Sequence, residues 1–387
     1  MGCGQQIANQ SNLNKKGLHK MFISTSKVFL ASVLIGMTLF ISGCDGKKAA
    51  KEEIEQKGIT YNIDSFADAI ASKNTDVINL FIKAGIDASN PKVLGAIIES
   101  NDPMLLEKLL DEDLNPNIKI TTDGSNAPLL NKLVSSPEML KVLLEADDLY
   151  INAQDNEGNT ALMQAMIANQ PASVTLLVTA DADVNMRNKE GFDAHTLIFG
   201  EPLSSYEDFK SEDITLTLLK ALGGKLNPNA TFDSLLKMKR DKISGLTLLH
   251  ITTIRLMKDA GSFLIEKKAN VNAKATANGK YISVFDTANS PKYPEGLSEL
   301  EQMVKSEQVI NMLLDNGANI KGSELDLKSS EVQHIGRLLE KGASEKILMR
   351  LGASKEKIRI AKEQNEYAMT APAMTEEVAP AAEATAY

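Results

Sequence analysis

The sequence predicts an all-α protein, a solenoid of about seven to eight stacked helix pairs. Three observations carry this expectation. The first is a recurring phrase in which two aliphatic residues lead, through a polar turn, to an asparagine. Leu109-Leu110 leads to Asn117, Leu177-Val178 to Asn185 and Leu264-Ile265 to Asn272, with Lys321 in the same place after Leu313-Leu314. The second is a Thr-small-Leu phrase, seen at Thr160-Ala161-Leu162 and at Thr247-Leu248-Leu249, with Gly158 and Gly245 two residues ahead of the threonines. The third is the period: Asn152 to Asn185 is 33 residues. Composition agrees. Tryptophan is absent and aromatic residues reach only 5%, fewer rings than large sandwiches or carbohydrate sites usually carry.

The chain opens on a leader, residues 1–43. Residues 28–41 are uncharged and apolar behind Lys27, which is the length and flank of a signal-peptide core. A spanning helix needs about 20 apolar residues, so the run is short for a permanent span. It ends in Ile41-Ser42-Gly43-Cys44. An aliphatic residue, two small residues and a cysteine resemble the bacterial lipobox. That resemblance implies a lipid on the thiol of Cys44, cleavage just before it, and a lipoprotein facing the periplasm. Asp45 behind it resembles the signal that retains lipoproteins in the inner membrane. The first twenty residues form a polar preface, and Met21 would make a more usual start. Met1-Gly2-Cys3 approaches a myristoylation signal, but its sixth position is Gln6 rather than Ser or Thr. Residues 44–61 then read as the lipidated cysteine with a charged tether that has little to bury.

Residues 62–350 hold the repeats. Thr160 and Thr247 can cap the first helix of their units. The Leu and Ala positions that follow fall on one helical face. The second helix ends in the aliphatic pair, and Gly85 and Gly317 stand where the chain must leave the helix. Looser copies of the first phrase are 81–89, 143–152 and 218–229. The period and the two phrases together resemble the ankyrin repeat, strongly at 152–188 and 243–275. One helix pair cannot cover its own apolar face, so neighbours must stack. Seven units end near residues 90, 118, 154, 188, 230, 274 and 321, and residues 329–354 read as a divergent eighth that caps the stack. Two units are stretched: Asn185 to Asn229 is 44 residues and Asn272 to Lys321 is 49. The extra chain, 199–210 and 289–304, falls between first and second helix in both. Residues 351–387 read as a terminal helix and a disordered tail rich in Ala, Pro and Glu.

Composition removes several kinds of chemistry. The net charge is -9, and the leader holds only lysines, so an exported body is more acidic still. Such a body does not attract nucleic acid. Both cysteines, Cys3 and Cys44, lie in the leader region, which leaves no disulfide framework or thiolate metal site in the body. The four histidines are not at helical ligand spacing, so no metal is expected and no cofactor. No phosphate loop, GxSxG elbow or dinucleotide fingerprint occurs. His250 sits in the histidine slot of the ankyrin signature, where the resemblance implies hydrogen bonds inside the fold. His195 has no nucleophile–acid set in the sequence around it.

The function expected is therefore non-enzymatic binding of one protein partner. The ankyrin resemblance implies a concave surface made of hairpin tips and first helices. Asp155, Asn156, Glu157, Arg187, Asn188, Lys189 and Glu190 would come from two consecutive tips, with Asn131 and Gln164 from first helices. The chain is similar to the ankyrin-repeat lipoproteins that act as immunity proteins against lipase effectors of type VI secretion, which would make a lipase toxin the partner. The alternative is a periplasmic scaffold in envelope or oxidative stress protection. An enzyme would need catalytic residues on the insertions or the C-terminal cap, and these hold no nucleophile–base set.

Overall fold

The computed structural model describes residues 45–122, 125–200, 210–232, 243–277, 279–289, 298–320, 327–328, 331–340 and 343–370. The leader with Cys44, the centres of both insertions, Lys321 and the tail from 371 lie outside the described residues. The chain forms two compact parts, residues up to Ala96 and residues from Ile97 onward.

The first part begins with a correction. The segment read as a charged tether is a helix, α1 (Asp45–Gln56). Ala50 and Ile54 stand one helical turn apart and are 2% and 0% exposed, packed on α3 (Thr75–Lys83). Two apolar residues at i and i+4 are enough to bury one stripe, although the other positions are charged and solvated. α2 (Ile63–Ala71) completes the group. Asn62 and Asn74 cap α2 and α3 by accepting from the Ser65 and Val77 amides, at 2.8 and 3.3 Å. Phe66 and Phe81 are fully buried, and Tyr61 stacks on Phe81 with ring centroids 5.6 Å apart.

From α4 (Pro91–Ser100) the helices continue in pairs. Second-helix positions are held by α5 (Pro103–Asp111), α7 (Pro137–Leu144), α9 (Pro171–Thr179), α11 (Glu212–Ala221), α13 (Lys258–Glu266) and α15 (Glu299–Asp315). First-helix positions are held by α6 (Leu129–Lys132), α8 (Ala161–Ile167), α10 (Ala194–Leu197), α12 (Leu248–Ile254) and α14 (Val284–Asn289). Each second helix packs on the next along the second part, so this part is a stack of helix pairs. α16 (Val332–Glu340) and α17 (Glu345–Arg350) make the eighth pair, and α18 (Lys355–Thr370) packs on α16. Among the described residues no helix is long and apolar enough to cross a membrane.

The aliphatic-pair phrase now has a mechanism. Its first aliphatic supplies the carbonyl that accepts a bond from the residue five positions on: Leu109 from Leu114, Leu177 from Ala182, Leu264 from Ala269 and Leu313 from Ala318, at 2.9 to 3.0 Å. This is a Schellman ending, and it needs a left-handed residue just before the donor. Gly317 fills that place at φ 81°, whereas Asp113, Asp181 and Lys268 adopt it at 68°, 68° and 72°. An Asx turn follows, in which the amides of Asn117, Asn185 and Asn272 bond the side chains of Asn115, Asp183 and Asn270 at 2.9 to 3.0 Å. The terminal asparagine then bridges repeats. Asn117 Oδ1 accepts from Tyr150 N at 2.6 Å, Asn152 Oδ1 from Asp183 N at 2.9 Å, Asn229 Oδ1 from Asn270 N at 2.8 Å and Asn272 Oδ1 from Asn319 N at 2.7 Å.

Two further differences from the sequence expectation appear. The tips are not all simple turns, so the fold is mostly but not purely helical. β1 (Lys119–Thr122) pairs antiparallel with β2 (Ser125–Pro128), β3 (Thr231–Phe232) with β5 (Leu246–Thr247), and β4 (Ile243–Ser244), β6 (Lys274–Ala277) and β7 (Lys280–Ser283) form one three-stranded sheet. β-Branched and aromatic residues at these tips favour extended pairing. The second insertion is also partly helical. α15 has 17 residues because Ser298 and Glu301 form a reciprocal capping box that starts it early. Both insertions do leave from between the first and second helix. The ends of the first are closed by Lys210 N donating to Phe199 O at 3.0 Å.

Candidate partner-binding site

The two tips singled out by the sequence, 155–158 and 187–190, are clamped together. The first is a tight turn: Asp155 N donates to Asn159 O at 3.0 Å, and Gly158 takes φ 82°. Lys189 N of the second tip donates to Glu157 O of the first at 2.9 Å. That approach passes over Gly158. A Cβ on Gly158 would lie 2.8 Å from Lys189 N, so both the dihedral and the space call for glycine. Gln154 Nε2 adds a bond to Arg187 O at 3.0 Å.

The nine candidate side chains separate into two groups. Four are engaged inside the fold. Asp155 Oδ1 accepts from the amides of Glu157 (3.0 Å) and Asn159 (2.8 Å). Its Oδ2 accepts from Gln164 Nε2 at 2.8 Å and Asn131 Nδ2 at 3.5 Å. Asn131 is 5% exposed and also donates to Asn159 O at 2.9 Å, so this first-helix residue is tied to the tip. Asn188 repeats the arrangement one unit on. Its Oδ1 accepts from Glu190 N (3.1 Å) and Phe192 N (2.9 Å), and its Nδ2 donates to Asn159 Oδ1 at 2.9 Å. The other five, Asn156, Glu157, Arg187, Lys189 and Glu190, are exposed. Arg187 lies 3.9 Å from the Asp193 carboxylate with most of its side chain in solvent, a separation worth little on a surface. The first four side chains fix the ledge, and the five exposed ones face outward from it.

Sequence reasoning placed Asp155 and Asn188 among exposed tip charges and amides. The i, i+2 and i, i+4 pattern of an Asx turn, Asp155 with Glu157 and Asn159, was the signal that would have sorted them. It also missed two exposed aromatic residues: Tyr150, in the turn that precedes the first of these tips, is 68% and Tyr281, on β7, 79% exposed.

His250 and His195 serve the fold. Thr247 caps α12, and His250 Nδ1 accepts from Thr247 N at 3.1 Å in a reciprocal box. His250 is fully buried, and burial holds its pKa down to about 4 against the smaller opposing effects of the Ile282 backbone and Asp286. His195 is 2% exposed and accepts at Nε2 from Asn227 N at 3.0 Å. Burial lowers its pKa, with Asp193 and the Lys225 backbone opposing. Among the described residues no three His, Cys, Asp or Glu side chains are grouped to hold a metal ion.

Residues 94–188 match the family model described as ankyrin repeats, in three copies. Phosphocholine transferase AnkX of Legionella pneumophila is 26% identical over 154 residues, covering 38% of this chain and 16% of that protein. The mannitol-specific EIICB component of the PTS system of Staphylococcus aureus is 28% identical over 161 residues, again 38% of this chain and 31% of that protein. The chain thus spans less than a third of the length of these curated relatives. Among solved structures, the ankyrin repeat domain of Bcl-3 covers 70% of this chain and 97% of itself at 16% identity and TM-score 0.42. The human ASB11 ankyrin repeat domain covers 70% and 96% at 16% identity and TM-score 0.40. The fold is the ankyrin-repeat fold, a scaffold for protein–protein interaction.

Proposed function

We propose that the protein is a lipid-anchored, non-enzymatic binder of one protein partner, held on the periplasmic side of a bacterial membrane through Cys44. We further propose that it is an immunity protein and that the partner is a membrane-degrading lipase effector of type VI secretion. One observation carries the binding part. The tips at 155–158 and 187–190 are locked to each other through the Glu157 carbonyl and Gly158. The lock leaves Asn156, Glu157, Arg187, Lys189 and Glu190 in solvent on a rigid ledge. Rigid ledges bind with little ordering cost. Mixed charges set partner choice and association rate more than raw affinity. The anchor rests on the sequence before Asp45, and it puts the binder where a lipase would attack. Neutralisation would come from covering the toxin's active-site mouth or from holding it off the bilayer.

The test is purification of the anchored protein together with what it holds, followed by lipase assays of the bound protein. The expected result is a lipase that is silent in the complex and active once released. Arg187→Glu with Lys189→Glu should weaken the complex while urea melts stay unchanged. Asp155 is left intact in this variant because its carboxylate is part of the fold. A bound protein without lipase activity, such as an oxidative-stress enzyme, would replace the immunity reading with the scaffold one.

A further inference from the structure

The structure removes the leash between anchor and body. We propose that the end of the first repeat formed by the first turn of α1 and the turn after α3 rests on an anionic bilayer surface. This rests on the lipid anchor of the proposed function. Cys44 is the residue next to Asp45, and consecutive Cα atoms are about 3.8 Å apart. α1 begins at Asp45 and is fixed through Ala50 and Ile54 to α3. A lipid on Cys44 therefore leaves no chain to spare between the bilayer and the repeat.

The side of the repeat that meets the bilayer follows from the packing. Lys47, in the first turn of α1, lies against Gly85, the left-handed residue that ends α3: a Cβ there would be 3.1 Å from Lys47 Nζ. The start of α1 is thus at the end of α3 from which the turn 85–89 emerges. The charge placement fits a negative surface. Lys47, Lys48 and Lys83 are exposed at this end, Lys48 within 3.8 Å of Glu52, while Glu52, Glu53 and Glu55 are exposed farther along α1 with Lys51 and Lys57 beside them. The exposed carboxylate of the turn, Asp87, is engaged by the amide of Ser89 at 2.9 Å. Lysines beside a lipid anchor supply the second signal that a surface-held protein uses.

The experiment uses the anchored protein purified from membranes, with the mass of its first peptide showing whether Cys44 carries lipid. Both natural cysteines lie in residues 1–44, so single cysteines in the body can be labelled cleanly. A fluorophore is placed at Ala88→Cys, in the turn after α3, or at Asp76→Cys, in the first turn of α3. Asp76 is about 10 Å farther along the helix at 1.5 Å per residue. The proteins are reconstituted in phosphatidylcholine–phosphatidylglycerol vesicles carrying a headgroup quencher. Quenching should be several-fold stronger at 88 than at 76. The ratio should fall to one when a flexible Gly-Ser segment is inserted between Cys44 and Asp45. It should also drop in Lys48→Glu with Lys83→Glu. Equal quenching at both positions of a lipidated protein overturns this inference and leaves the anchor standing. A first peptide without lipid overturns the anchor, and this inference with it.

Discussion

Replacing Asp155 by alanine should destabilise the second part of the chain, although a turn aspartate is usually a tolerant site. The carboxylate accepts from two backbone amides and two side-chain amides between 2.8 and 3.5 Å. Water can replace the bond to Glu157, which is exposed, and the 3.5 Å contact is weak. The bonds from Asn159 N and Gln164 Nε2 remain. Asn159 is 7% exposed, so its amide gains little from solvent once the acceptor is gone. Hydrogen bonds to a charged acceptor contribute about 1.5–3 kcal/mol each. With partial re-solvation, the loss should be about 2–4 kcal/mol. Asp155→Asn should cost less, because its remaining oxygen can still serve the two backbone amides while its NH2 meets two donors. Urea unfolding measures both. Gln164→Ala should be strongly non-additive with Asp155→Ala, since each removes the same bond. An Asp155→Ala midpoint shift equivalent to less than about 0.5 kcal/mol, the range of ordinary surface substitutions, would refute the view that this side chain organises the tip.

Three other perturbations test neighbouring parts of the reasoning. Gly158→Ala meets a left-handed dihedral and a backbone atom 2.8 Å from the new Cβ, and should cost more than the 1–2 kcal/mol of the dihedral alone; a thermal melt like that of the parent would contradict it. Lys268→Gly should instead stabilise by about 1 kcal/mol, because an exposed lysine holds a left-handed helix end at φ 72°; a lower urea midpoint would show that the lysine side chain matters there. His250 is buried neutral with its pKa near 4, so the unfolded chain binds the extra proton between about pH 6.5 and pH 4. Stability is then full above pH 6.5 and falls with pH across that window, by up to about 3 kcal/mol. Urea melts at pH 7 and pH 5 should differ in the parent and differ less in His250→Gln.

What the sequence revealed follows from how local each feature is. The aliphatic pair, the left-handed exit and the bridging asparagine are all set within one short stretch of chain, and they recur because each repeat must hand on to the next. Thr160 and Thr247 act as the N-caps their positions suggest, accepting from Met163 N at 3.3 Å and His250 N at 3.4 Å. α1 was missed because its burial rests on Ala50 and Ile54 alone among solvated charges. The tip strands are short, two to four residues each, which is too little chain to display an alternating pattern, and one pairing, Ile243 with Ala277, joins residues of different repeats. Asp155 was misplaced for a related reason. Its identity as a turn residue is local, whereas its engagement depends on Asn131 and Gln164 arriving from two helices.

The central claim is that cells need this protein to survive a membrane-attacking partner. A strain lacking the gene should be grown in contact with its parent, on a surface where siblings deliver effectors to each other. The deletion strain should be outcompeted, with leakage of its membrane. Re-expression of the intact protein should restore it, and Arg187→Glu with Lys189→Glu should restore it less well. Equal recovery of the deletion strain and its parent would contradict the immunity role.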